Sequence, residues 1–225
     1  MPEPYSPQRL LELLPELTLA LGQTLAMLGI GLAAALLIGG PLGILLFAVA
    51  DGQSLQQRTL ARTLGWTVNA LRSFPFIILL VALVPFTRLI AGTSIGPLAA
   101  AVPLSVAAIP YFARLVEQTL REVPRGVIEA AQAMGASELQ IVTRVLLVEA
   151  RSGLVLALTV LAISFLSYSA VAGVVGGGGI GDLAIRYGYY RFETDVMVFT
   201  VALLVLLVQA IQLAGNRLAH RLDKR

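Results

Sequence analysis

The sequence contains no cysteine and a single histidine, His220. Disulfides, thiolate chemistry and cysteine zinc sites are thereby excluded, and one histidine in a basic C-terminal tail does not build a metal centre or a catalytic triad. Charge is scarce as well: 13% of the 225 residues are charged, against 57% hydrophobic. The phosphate-cradling pattern G-x-x-x-x-G-K-[ST] is absent, so no ATPase site of that kind is expected in this chain. Low-complexity linkers and solenoid-spaced repeats are lacking too. Residues 1–16 have no basic segment leading to a small-residue cleavage site, and no cleavable signal peptide is expected there.

What fills the chain instead is apolar sequence. A mean hydropathy of +0.85 exceeds what a soluble core of this size could hide, so lipid is the expected solvent. The net charge of +3 does not point to nucleic acid, because the basic residues cluster in the gaps between apolar runs. Leu10, Leu11, Leu13, Leu14 and Leu17 recur at helical spacing, which predicts an amphipathic surface helix over residues 1–16. The first apolar run, Leu17 to Ala50, is charge-free. As a helix it would be roughly 50 Å long, more than the roughly 30 Å hydrocarbon core needs. Gly39-Gly40-Pro41 predicts a kink within it, or two short segments as the alternative. Four further runs follow: Leu64–Phe86, interrupted by Arg72 and Pro75, Pro97 to about Val116, Ser152–Val175, and Val196–Gly215.

These patterns predict an all-α membrane protein of about five spans. Residues 17–215 form the membrane domain with a polar loop over 117–151, and residues 216–225 form a basic tail. Orientation follows from lysine and arginine. Arg58, Arg62, Arg121, Arg125, Arg144, Arg151, Arg217, Arg221, Lys224 and Arg225 lie on one side; Arg9, Arg88, Arg186 and Arg191 lie on the other. The richer side is read as cytoplasmic, which puts the N-terminus out and the C-terminus in. Arg72, about two turns from the cytoplasmic end of its run, is expected to snorkel.

The loop 117–151 is too charged to span and too patterned to be slack. Pro124 suits a helix start, and Val127, Ala130, Ala131 and Met134 form an apolar stripe. Gly135 ends the helix, and a second amphipathic segment, Leu139–Leu147, leads back to the membrane. A short helix across the cytoplasmic mouth is expected, with small Ala130 and Ala131 admitting a partner surface.

Glu129-Ala130-Ala131, then Gly135, Ile141 and Leu146-Leu147, resemble the EAA loop of ABC importer permeases. Similar permeases often carry proline where Val148 stands here. Leu71–Leu80, Pro85–Arg88, Tyr168-Ser169-Ala170, Gly176–Asp182 and Arg186–Tyr189 are similar to the methionine-importer permease subfamily. The resemblance implies the type I ABC importer fold in a bacterial inner membrane. It makes the loop a coupling helix, with Glu129, Ala130, Ala131, Met134 and Gly135 meeting an ATPase subunit. It also implies a homodimer, two ATPases that bind ATP and Mg, an external binding protein, and D- or L-methionine as cargo. Another small amino acid or a related solute is the alternative cargo. This chain would hold no cofactor of its own.

Five helices can hardly enclose an amino-acid-sized path, whereas a two-fold pair can. Ser164, Tyr168 and Val171 fall on one face of the fourth span and are the expected pathway residues, with Ser167 and Ser169 nearby. By resemblance the gate lies near Ala170-Val171-Ala172, where Val171 would supply a dry constriction. Helix packing is the competing role for this face. Gly179-x-Gly181-x-x-Ala184 matches a dinucleotide fingerprint, but lacks the strand–helix–strand context. Gly179-x-Gly181-Asp182 matches an intramembrane aspartyl protease motif, yet no second aspartate lies in a span, which argues against a membrane enzyme.

Overall fold

The computed structural model describes residues 7–50 and 57–223. Residues 1–6 of the N-terminal segment, residues 51–56 of the first loop, and Lys224 and Arg225 lie outside the described residues. Every regular element described is helical. In chain order these are α1 (Pro7–Ala34), a π turn (Ala35–Gly39), α2 (Gly40–Ala48), α3 (Arg58–Arg72), α4 (Phe76–Ala82), α5 (Val84–Ala91) and α6 (Pro97–Arg121). They continue as α7 (Arg125–Ala133), α8 (Glu138–Gln140), a π segment (Ile141–Leu146), α9 (Leu147–Glu149) and α10 (Arg151–Val174). The last are α11 (Gly179–Leu183), a π segment (Ala184–Tyr189) and α12 (Thr194–Leu222).

Among the described residues, four helical stretches are long and apolar enough to cross a membrane: Leu11–Ala48, Pro97–Arg121, Arg151–Val174 and Thr194–Leu222. A fifth exists if Arg58–Arg72 and Phe76–Ala82 make one interrupted span. Pro75 explains the interruption, because the residue before a proline is pushed out of the helical region. Arg72 is the last residue of α3, at the interruption itself, with its guanidinium 5.3 Å from the Tyr111 ring. No break separates residues 7–16 from the first span; α1 runs through without one. The expected disturbance at Gly39-Gly40-Pro41 is a π turn. Pro41 has no N–H and its ring crowds the carbonyl four residues back, and a wider turn absorbs both. The third run continues as helix beyond Val116 to Arg121, through Pro103 and Pro110.

The chain divides into two compact units. One gathers the chain up to Ala33, Phe74–Val106 and Ala162–Ile211. Its core joins Leu13, Leu17 and Ala20 of α1 to Ile180 and Leu183 of α11 and Val196 of α12. Arg9 ties the start of α1 to the start of α12, donating to Asp195 at 3.0 Å and Glu193 at 2.5 Å. The hydrogen bond to Asp195 holds the Arg9 pKa above its usual value.

The other unit gathers Ala34–Ser73, Ala107–Leu161 and the chain from Gln212. Here the π turn and α2 lie backbone-close to α6: a Cβ on Gly39 would sit 2.6 Å from the Ile109 carbonyl oxygen, and one on Gly43 2.5 Å from that of Ala113. This is the small-xxx-small contact by which membrane helices approach closely. Leu46, Val68 and Ala113 join α2, α3 and α6 in one apolar cluster. Arg151 donates to the Leu222 carbonyl at 2.7 Å, satisfying one open carbonyl at the end of α12.

Candidate functional site

α7 begins directly after Pro124, whose φ of −59° and ψ of 131° set an extended entry before the first helical residue. It ends in a Schellman turn. Gly135 stands at φ +80°; its N–H donates to the Gln132 carbonyl at 2.9 Å, and the Ala136 N–H to that of Ala131 at 3.0 Å. The chain restarts at once through a capping box. The Gln140 N–H donates to Ser137 Oγ at 3.4 Å, and the Ser137 N–H to Gln140 Oε1 at 2.8 Å. Two helical pieces are thereby joined with defined ends and no slack.

The expected apolar stripe of α7 divides between two faces. Ala131 is 4% exposed and, with half-buried Ile128, packs α7 against the Ile141–Leu146 segment, where Ile141 and Leu146 are buried. Val127, Ala130 and Met134 face outward, Met134 with 82% exposure. Leu139, on the next piece, is also exposed. Of the two alanines, only Ala130 is available to a partner; Ala131 serves close packing within the chain. Glu129 is exposed and is the fifth residue of α7, beyond the first turn where a helix N-terminus favours an anion. Glu129 instead lines a cleft of about 240 Å³ with Arg125, Gln132, Glu138, Phe47 and Ile141. Among the described residues, no cluster of His, Asp and Glu is placed to hold a metal ion.

In the fourth span, Ser164, Tyr168 and Val171 are all half-buried along α10. The Tyr168 ring stacks on Phe76 at 4.8 Å between centroids and meets Phe165 edge-on at 5.0 Å, so packing takes up part of this face. Ser169 is buried and donates to the Leu166 carbonyl at 2.7 Å; Ser167 is exposed. The glycine-rich stretch after α10 is not slack either. Gly181 lies against the Ala170 backbone and Gly173 against the Asp182 N–H, with no room for a Cβ at either. At the start of α11, the Gly179 N–H donates to Gln23 Oε1 at 2.8 Å and the Ile180 N–H to Thr24 Oγ1 at 2.9 Å. α1 therefore caps α11, which in turn holds the segment 170–173 containing Val171. Sequence reading missed this cap and the Ser137-x-x-Gln140 capping box, although the latter has a recognisable spacing.

α7 is thus a short helix with an exposed apolar face, lying in the chain between the long apolar helices α6 and α10. The chain belongs to the family of binding-protein-dependent transport system inner membrane components, whose pattern matches residues 27–225. It has the all-helical fold of the ABC importer permeases and belongs in the inner membrane.

The relatives are more particular. The chain is 49% identical over 203 residues to a probable D-methionine transport system permease protein, MetI, of Vibrio cholerae, covering 90% of each. It is 40% identical to the methionine import system permease protein MetP of Bacillus subtilis, covering 80% of this chain and 82% of that one. Among solved structures, a chain of the MetNI methionine ABC transporter in an inward-facing conformation superposes with a TM-score of 0.91. That chain is 45% identical, with 97% of this chain and all of that one covered.

Proposed function

We propose that this chain is the permease subunit of an ATP-driven importer of methionine. It works as a homodimer with two ATPase subunits and an external binding protein. The observation that carries this reading is α7, a short helix with fixed ends and an outward apolar face of Val127, Ala130 and Met134. ATP bound with Mg by the partner supplies the work. A rigid helix in a partner's groove receives that work as a push, because a Schellman turn and a capping box leave no loop to absorb it. Glu129 offers that groove an anion, and Gly135 sets the angle of exit.

In this reading the interrupted pair of α3 and α4 is the fifth span, the N-terminus lies outside, and the loop 117–151 is cytoplasmic. The path runs along α10 past Ser164 and Tyr168. Val171 closes it as an apolar constriction, which excludes water when narrow. The methionine assignment rests on the similarity to permeases named for methionine transport.

The test is ATP hydrolysis by the permease co-purified with its ATPase and binding protein. Methionine should stimulate hydrolysis, whereas disruption of Glu129–Ala131 should abolish stimulation and weaken co-purification. Full assembly and full stimulation in the disrupted variant would refute the coupling role. A wild-type complex that ignores methionine but responds to another amino acid would refute the cargo alone.

A further inference from the structure

α6 carries three charges at helical spacing, Arg114, Glu117 and Arg121, just before the chain turns into α7. Glu117 is 3% exposed, and each of its oxygens is engaged. Arg114 Nη1 reaches Oε2 at 2.5 Å, and Arg121 Nη2 reaches Oε1 at 2.7 Å. One carboxylate thus has two guanidinium partners, more than its neutralisation requires. The second arm of Arg114 leaves the helix. Its Nη2 donates to Asn69 Oδ1 at 2.7 Å, with the Gly65 carbonyl at 3.4 Å, both on α3. Beside this fork, the contact of α2, α3 and α6 is the apolar cluster of Leu46, Val68 and Ala113. Apolar packing is non-directional and permits sliding, whereas a planar charged fork fixes register and separation.

We propose that Arg114 is a positioning residue of the transport cycle, the fork through which a displacement at the root of α7 is passed to α3. The inference rests on reading α7 as the coupling helix. Glu117 and Arg121 hold the Arg114 side chain in its forked pose, and Asn69 receives the displacement. Without the fork, α3 and α6 slip past one another, and ATP is hydrolysed without delivery of substrate.

Two variants keep the charge balance and the fold. Arg114→Lys retains a cation for Glu117 but replaces the two-armed group with a point donor. Asn69→Ala removes the shorter of the two contacts that Arg114 makes on α3, leaving the Gly65 carbonyl at 3.4 Å. ATP hydrolysis and uptake of labelled methionine are measured on the same vesicles holding the full complex. Each variant should lower uptake per ATP by about three- to tenfold while hydrolysis persists, the range that altered coupling networks produce. The double variant should be no worse than either alone. If Asn69→Ala is neutral, or if uptake and hydrolysis fall in proportion, Arg114 only neutralises Glu117 and the proposal is wrong.

A second readout does not depend on the cargo. The chain has no native thiol, so Thr63→Cys on α3 and Gly126→Cys on α7, where a Cβ meets no atom within 4 Å, give two unique labelling sites. Spin labels there, diluted so that each complex carries one labelled copy, report their separation with and without a non-hydrolysable ATP analogue. The separation should stay constant in the parent and change with nucleotide once Arg114→Lys is added. A parent separation that changes with nucleotide, or an Arg114→Lys variant indistinguishable from it, overturns the proposal. Absence of methionine uptake in the parent would instead count against the cargo.

Discussion

Gly135 offers a substitution whose magnitude follows from backbone conformation alone. Its φ is +80°, and a Cβ placed there meets no atom within 4 Å. Steric crowding inside the chain is therefore not at issue, only the conformational penalty. An ordinary L-residue in the left-handed region costs about 1–2 kcal/mol, and a β-branched residue more. Asparagine tolerates that region better than alanine despite its larger side chain. Relieving the penalty means unwinding the Schellman turn, which redirects the chain entering α8 and tilts α7 away from its docking angle. At about 1.4 kcal/mol per tenfold, Gly135→Ala should reduce complex formation roughly tenfold. Gly135→Asn should reduce it less and Gly135→Val more. The assay is recovery of the ATPase with tagged permease across a dilution series, at equal membrane content. The order Gly, Asn, Ala, Val identifies conformation as the cause. An order that follows side-chain size would refute it and indicate contact with the partner surface instead.

Other substitutions test the packing beneath. Gly43→Val places a side chain against the Ala113 carbonyl and Val116; overpacking of this kind costs about 1–3 kcal/mol and should lower the melting temperature in detergent. Gly29→Ala, with open space around it, should be neutral or slightly stabilising in the same measurement. Thr24→Ala leaves the buried Ile180 N–H without its acceptor, a loss of about 1–3 kcal/mol, and should speed hydrogen exchange over residues 176–183. Unchanged exchange would mean that α11 does not depend on this cap. Val171→Ala should loosen the constriction and raise basal ATP hydrolysis or leak; a variant as tight as the parent would move the gate elsewhere.

Much of the helical framework was legible because lipid imposes length and charge limits that few sequences meet by chance. The Leu17–Ala50 run, the stop at Gly135 and the break at Pro75 all follow from single-residue chemistry. The division of the α7 stripe was not legible. Periodicity marks Val127, Ala130, Ala131 and Met134 as apolar, but a face that meets a partner and a face that meets the chain's own core have the same period. Only the position of the Ile141–Leu146 segment shows that Ala131 points inward and Met134 outward. Arg114 escaped notice for a related reason: it lies within an apolar helix, where sequence alone shows a cost and not the Glu117 and Asn69 that offset it. The spacing of Arg114, Glu117 and Arg121 on one helical face was the available signal. Gly39-x-x-x-Gly43 was likewise readable as a close helix contact, whereas Tyr168 gave no hint that Phe76 would take its ring.

The most direct test is accumulation of labelled methionine by vesicles containing the permease, its ATPase and its binding protein, with ATP supplied on the side of the 117–151 loop. Uptake against a gradient is expected only with ATP and an intact Glu129–Gly135 segment, and should cease when ATP is placed on the opposite face. Accumulation that persists with this segment disrupted, or that needs no ATPase, would contradict the assignment of α7 as the point where work enters the membrane domain.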